Sequence, residues 1–355
     1  MGLPNIIIDF KTMGISAIKR GDRGIVAVII KDNGKTGAFV MDSINDIPEA
    51  LSADNKAYIQ RAFIGASSVP KKVTAFALEE TATEYTDALN FFAAEKFDYL
   101  VCPPDVTNEL ANTVATWVKS QRDSFDKKIK AVLPSVTADH EGVINFDTNN
   151  IKAGETTYTN AQYCSRIAGI LAGTPLTMAA TFTALSEVTD VPRLTKTQAD
   201  EAINAGKLIL YHDGEKVKIA RAVNSLVTVT PEKGDAFKKI KIVDIIDMIH
   251  NDIKTTVNDN YVGKVSNNYD NKCLILIAIK SYFEQLEMSG VLDKGKSNIE
   301  IDIAAQESYL RGQGVDTSAL NEYQLKSANT ADKVFLASTV KPLDAVEEIK
   351  LNVII

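Results

Sequence analysis

Ile25-Val26-Ala27-Val28-Ile29-Ile30, closed by the turn residues Asp32-Asn33-Gly34, is the stretch that decides the class of fold. It reads as a short apolar strand ended by a turn. Working outward, strand and helix patterns alternate as far as residue 133. Ser52 is placed to cap a helix carrying Ala57, Ile59, Ala62 and Phe63. Val73–Leu78 reads as a strand, and Tyr85–Ala94 as a helix with Tyr85, Leu89 and Phe92 at helical spacing. Tyr99–Cys102 is a strand stopped by Pro103-Pro104. Thr107–Gln121 is a helix with Leu110, Val114, Trp117 and Val118 on one side, and Lys130–Leu133 is a strand stopped by Pro134. Apolar strands alternating with amphipathic helices imply an α/β layer with largely parallel pairing.

Val143–Phe146 adds a short strand, and Asn160–Ala172 a helix closed by Gly173 and Pro175. Val191-Pro192 is the expected boundary. Beyond it, Thr197–Ala205 is a helix with Gly206 past its end. Leu208–Tyr211 and Val217–Ala220 flank His212-Asp213-Gly214, a hairpin signal. Leu226–Thr230 is a further β-rich run. Lys241–Lys254 is an amphipathic helix: Ile242, Ile245, Ile246, Ile249 and Ile253 form its stripe, and Asp244, Asp247, Asn251 and Lys254 its polar face. Cys273–Met288 is a more apolar helix stopped by Gly290, and Ile299–Ile303 and Val334–Val340 read as strands.

With 355 residues the chain suits two or three domains. Its net charge of −7 gives no broad positive field for phosphate backbones, so nucleic acid is not expected as a partner. Cys102, Cys164 and Cys273 are odd in number and lie in apolar surroundings, which fits buried thiols in a reducing cytosol. Met-Gly-Leu-Pro-Asn-Ile-Ile-Ile lacks the charged and apolar regions of a signal peptide, and the longest apolar run, Cys273–Ile279, is far short of a membrane span. Insertion into a membrane is not expected.

Catalytic and cofactor signatures fail on specific residues. Gly34-Lys35-Thr36 ends like a phosphate loop, but Ile29 stands where the first glycine is needed. Gly65-Ala66-Ser67-Ser68-Val69 begins like a nucleophile elbow, but Val69 replaces its second glycine. His140, His212 and His250 show no ligand spacing. No catalytic residue, metal or cofactor is expected.

The two ends carry the remaining signal. Ile6, Ile8 and Phe10 alternate with Asn5, Ile7 and Asp9; Ile349, Leu351, Val353 and Ile355 alternate with Lys350, Asn352 and Ile354. Such strands either pair within their own sheet or add to sheets of neighbouring subunits. Gly14, Gly21 and Gly24 give the first of them a hinge and reach. A seven-residue strand spans roughly 23 Å.

Gly2-Leu3-Pro4-Asn5-Ile6-Ile7-Ile8-Asp9-Phe10 resembles the opening of tail sheath proteins of contractile phages and phage-like bacteriocins. Leu336–Val340, Lys341-Pro342-Leu343-Asp344-Ala345 and Glu347-Glu348-Ile349-Lys350-Leu351-Asn352-Val353 resemble that family's closing segment. Leu194-Thr195 and Thr197–Ala205, then Gly206–Leu210 and Val217–Leu226, are similar to its helix-and-hairpin C-terminal domain.

The resemblance implies an α/β fold, α+β overall: an N-terminal arm and linker at 1–23, an outer α/β domain at 24–190, a mixed inner C-terminal domain at 191–340 and a C-terminal arm at 341–355. It implies hexameric rings stacked around an inner tail tube, with baseplate and tail terminator proteins at the ends. The particle would assemble in the bacterial cytoplasm and drive its tube through a target envelope on contraction. Ile6, Ile7, Ile8, Asp9 and Phe10, and Ile349, Lys350, Leu351, Asn352, Val353 and Ile355, would be the inter-subunit strands. The helix at 238–254 would touch the tube through Lys238, Lys241, Asp244, Asp247, Asn251 and Lys254. A two-domain cytosolic α/β enzyme, with a pocket at the C-terminal ends of the Ile25 and Val73 strands, and a tube or baseplate component are the competing readings.

Overall fold

In a computed structural model the described residues are 17–21 and 23–354. The expected N-arm residues Ile6, Ile7, Ile8, Asp9 and Phe10, with Gly14 and Ile355, lie outside them. The chain divides into two compact units: Gly21–His250 with the chain from Pro342 onward, and Asn251–Lys341 with the described residues before Gly21.

The larger unit is built on β1 (Ile25–Lys31). All six residues of its Ile25–Ile30 run are buried, and their side chains alternate between two cores. Val26, Val28 and Ile30 pack with Tyr58, Ile59, Tyr163 and Ile167; Ile25, Ala27 and Ile29 pack with Leu89, Phe92, Val114 and Val118. A strand covered on both faces needs helices above and below, and the next segments supply them.

β2 (Gly37–Met41) returns to pair antiparallel with β3 (Lys72–Leu78), after α1 (Ala53–Phe63). Ser52 caps α1 by accepting the Asn55 amide at 3.4 Å. α2 (Thr86–Ala94), β4 (Tyr99–Val101), α3 (Asn108–Asp123), β5 (Lys130–Pro134) and β6 (Val143–Phe146) follow. Next come the small hairpin of β7 (Ile151–Ala153) and β8 (Thr156–Tyr158), α4 (Asn160–Gly173), α5 (Lys196–Asn204) and β9 (Lys207–Leu208). The sheet has seven strands in the order β2-β3-β1-β4-β5-β6-β9, parallel throughout except for the β2 edge. α1 and α4 cover one face, α2 and α3 the other.

Two expectations need correction here. Leu208 does not begin the hairpin; with Lys207 it pairs with Phe146 and Asn145 at the sheet edge, so the chain past Val191 is still part of the same sheet. The hairpin is shorter, β10 (Leu210–His212) against β11 (Val217–Ile219). Leu226–Thr230 is not a strand: the Asp139 carboxylate accepts the Val227 and Thr228 amides at 2.7 and 2.9 Å, taking the place of ladder partners.

α6 (Ile240–Asn260) contains the division between the units. In the smaller unit, α7 (Tyr269–Met288) begins a turn before Cys273 because Asn268 caps it, accepting the Asn271 amide at 2.8 Å. β12 (Asn298–Ile301) stops where Asp302 caps α8 (Ile303–Gly312). α9 (Glu322–Ser327) leads to β13 (Leu336–Thr339), antiparallel to β12. Ile275, Ile279, Tyr282, Phe283, Leu286, Leu292, Ile301 and Leu310 are among the buried apolar residues of the smaller unit. Lys272 is buried among them, with its ammonium within 3.3 Å of Gln306 Oε1, Thr330 Oγ1 and the Ala328 carbonyl.

Candidate functional site

The C-terminal arm is where exposure and sequence pattern disagree most. Among the described residues no strand follows Thr339, so the alternation at 349–354 has no strand partner among them. Ile349, Leu351, Val353 and Ile354 are 74–97% exposed. An isolated run of large apolar side chains in water is costly, about 1.5–3 kcal/mol for each residue left uncovered.

The root of the arm is held. Glu347 accepts a hydrogen bond from the Thr181 hydroxyl at 2.6 Å and another from Arg221 Nε at 2.9 Å. Glu348 pairs with Arg221 at 3.3 Å, and Asp344 with Lys239. Gly24, expected as a hinge, is instead buried at the entry to β1. Its φ is +88°, its amide donates to Asp98 at 2.7 Å, and a Cβ there would meet the Ala172 carbonyl at 3.0 Å. Gly21 is exposed.

The candidate tube-contact face of α6 is overturned in its first half. Lys241, Asp244 and Asp247 are buried, so the first turns of α6 are enclosed on the polar side as well as the apolar one. Asp247 is gripped by Arg122 through two bonds of 2.8 and 2.9 Å and by Lys130 at 2.8 Å. Asp244 accepts the Tyr99 hydroxyl at 2.6 Å, lies 3.2 Å from Lys130 and pairs with Arg23. Burial alone would raise the Asp247 carboxyl, but the Lys130 and Arg122 charges outweigh it and hold it below the usual carboxylate range.

Periodicity identified the apolar stripe correctly. It could not show that β4, β5 and α3 place a tyrosine, a lysine and an arginine opposite the other face. Of the six candidates, Lys254 is exposed and Lys238 pairs with Asp235 at 2.8 Å, whereas Asn251 is half-buried.

Glu141 continues the network, 3.5 Å from Arg122 and 3.0 Å from Lys233. Beside it, His140 Nδ1 accepts the Gly142 amide at 3.0 Å, which places the ring hydrogen on Nε2, facing Asp123. Burial depresses His140 below its ordinary value, against the opposing pull of Glu141 and Asp123.

At the C-terminal ends of β1 and β3, where the enzyme reading expects a pocket, there is an open depression of about 230 Å³ lined by Lys31, Asp32, Asn33, Gly34, Ala50, Ser52 and Glu80. Its charged groups are spent on structure. Asp32 accepts the Gly34 and Ser52 amides and Asn55 Nδ2 at 2.7–2.9 Å, bonds that overcome burial and lower it to about 2. Lys31 pairs with Asp105, and Glu80 accepts from Asn33. The Cys102 and Cys164 thiols are buried and pushed up by desolvation, away from the reactive thiolate form.

The geometry joins a sheet sandwiched between helices, a second smaller unit and an exposed apolar arm. The family described as phage tail sheath protein central domain matches residues 79–225, and the phage tail sheath C-terminal domain matches 232–355. The chain belongs to the phage tail sheath family. A tail sheath protein of Clostridium phage phiCD119 is 39% identical over 357 residues, covering 99% of each chain. Among solved structures, a sheath tail protein from Desulfitobacterium hafniense superposes with a TM-score of 0.69 at 20% identity, covering 84% of this chain and 94% of that one. The contracted PVC sheath complex of an extracellular contractile injection system also gives 0.69, at 11% identity, covering 100% and 98%. The protein is a structural component of a phage tail or related contractile injection particle.

Proposed function

We propose that this chain polymerises as hexameric rings stacked around an inner tail tube, and that the polymer contracts to drive the tube through a target cell envelope. The observation that carries the reading is the arm at 349–354, an exposed alternating apolar run with no strand partner among the described residues. Strand addition satisfies its backbone groups and covers Ile349, Leu351 and Val353 together. The two-stranded β12–β13 sheet is the acceptor on the neighbouring subunit, because two strands alone form a marginal sheet and further strands complete it. Ile6, Ile7, Ile8, Asp9 and Phe10 play the same part for the N-terminal arm, with Ile355 closing the C-terminal one.

Each added strand is modest, with backbone bonds of about 1 kcal/mol net, and repetition along a lattice makes the whole strong. The outer role expected at 24–190 falls to the sheet unit, which β9 carries past Val191, and the inner role to the chain after that sheet. Lys254, on the exposed part of α6, is the tube-facing residue kept from the original set. The subunit is assembled in the bacterial cytoplasm with tube, baseplate and tail terminator proteins, uses no cofactor and performs no catalysis.

The test is negative-stain microscopy of the purified chain with and without residues 349–355. The full chain forms tubes, and the shortened chain stays as folded single subunits with unchanged thermal unfolding. Tubes of normal length from the shortened chain refute the role of the arm. Rings that never lengthen favour a tube or baseplate component instead.

A further inference from the structure

The arm does not leave the subunit at the point where it loses its fold. Asp344, Val346 and everything from Glu348 to Ile354 are exposed, but Glu347 is not: it is the last described side chain turned back into the larger unit, and only 10% of it is accessible. Both of its carboxylate oxygens are used. Thr181 Oγ1 donates to Oε1 at 2.6 Å, Arg221 Nε donates to Oε2 at 2.9 Å, and Lys239 Nζ stands 3.7 Å from Oε2.

The partners are themselves fixed. Thr181 Oγ1 also accepts the Ala222 amide at 3.1 Å, so one hydroxyl ties the arm to the strand exit after β11. Val223 and Lys239 form an isolated antiparallel bridge that sets the lysine beside the arginine. Arg221 reaches one residue further to Glu348 at 3.3 Å, and Lys239 reaches back to Asp344. Two bases and a hydroxyl from three chain segments thus meet three acids spaced over five residues. A solvated tail has no reason to place its one shielded acid among them.

We propose that Glu347 is the positioning residue of the C-terminal arm. It fixes the point and direction at which the free strand begins, so that load placed on Ile349–Val353 by a neighbouring subunit is delivered to Thr181, Arg221 and Lys239 of its own. The inference rests on the strand-donation reading above and adds to it. The arm is clamped at Glu347, and only the residues after it are available for exchange. Guanidinium–carboxylate pairs open and reform without unfolding anything, which suits a joint that must stay connected while subunits move.

The test uses the full chain. Hydrogen exchange of residues 342–348, read by mass spectrometry below the concentration at which polymer forms, isolates the clamp. Glu347→Ala and Arg221→Ala are expected to speed exchange there about tenfold and to raise the polymer onset concentration about tenfold, with the Trp117 unfolding transition unmoved. Thr181→Val, which keeps shape and removes one bond, gives a smaller change in the same direction. The exchanged pair, Arg221→Glu with Glu347→Arg, restores protection. Unchanged exchange at 342–348 in Glu347→Ala overturns the proposal, as does loss of protection in the exchanged pair equal to that of the single variants. Leu351→Asp separates the two readings: normal polymer from that variant sinks strand donation, whereas the clamp is decided by exchange at 342–348 alone.

Discussion

Asp247→Asn tests whether the first half of α6 is an internal strut or an outward face. The substitution keeps size and removes the charge that holds Arg122 and Lys130. Losing one partner of a buried ion pair costs about 3–5 kcal/mol, because the other charges are left uncompensated. Here the lower end applies: Lys130 keeps Asp244 at 3.2 Å, and Arg122 keeps Glu141 at 3.5 Å. A loss of about 3 kcal/mol in a unit of this size lowers the unfolding temperature by roughly 6–12 °C.

The single tryptophan, Trp117, lies in the larger unit on α3, the helix that carries Arg122, so its fluorescence follows this unit. Lys238→Ala is the control. Its pair with Asp235 is exposed, and exposed pairs contribute no more than about 1 kcal/mol. If Asp247→Asn shifts the Trp117 transition no further than Lys238→Ala does, the internal-strut account is wrong and the residue belongs to a solvated face.

His140 gives a pH prediction with a definite sign. Its depressed value means the folded state holds it neutral, so stability is complete above its ordinary value of 6.5 and is lost as pH falls below that. Chemical unfolding between pH 7.5 and 5 should show the decline, and His140→Gln should flatten it. Asp32, lowered to about 2, acts further down: its contribution is complete above its ordinary 3.8 and fades as pH falls toward 2, a slope that Asp32→Asn removes. Gly169→Ala would place a methyl 2.2 Å from the Ala62 carbonyl, where α4 crosses α1, so a loss of about 1–3 kcal/mol is expected by urea titration. An unshifted midpoint there would mean that the two helices can separate freely.

The sheet was legible because its signals are local. Ile25–Ile30, Val73–Leu78 and Tyr99–Cys102 are apolar apart from Thr74, the pattern left by a strand buried on both faces. Ser52, Thr107 and Asn160 were readable for the same reason, since caps and helix starts depend on neighbours in sequence. What failed depended on distant partners. The polar face of α6 looked solvated because Tyr99, Arg122 and Lys130, which enclose it, lie more than a hundred residues away.

β2 went unread because Gly37–Met41 is short and half exposed. α8 went unread because Ile299–Ile303 alternates up to the residue where Asp302 starts a helix. The arm was legible as an alternation, but nothing in the spacing could show that Glu347 is the acid of the arm that becomes shielded.

β9 constrains how related chains could exchange segments. Lys207 and Leu208 shield the β6 edge, and Asp147 donates its amide to the Leu208 carbonyl at 3.0 Å. A crossover near Val191 would give β6 a foreign edge strand, and a strand that fits poorly there would leave Asn145 and Phe146 open to pairing with any extended chain. Recombinants joined beyond Ile219 keep both the edge and the hairpin from one parent. Viable mosaics among tail genes should therefore carry their junctions after this point rather than at the proline that marks a break in composition.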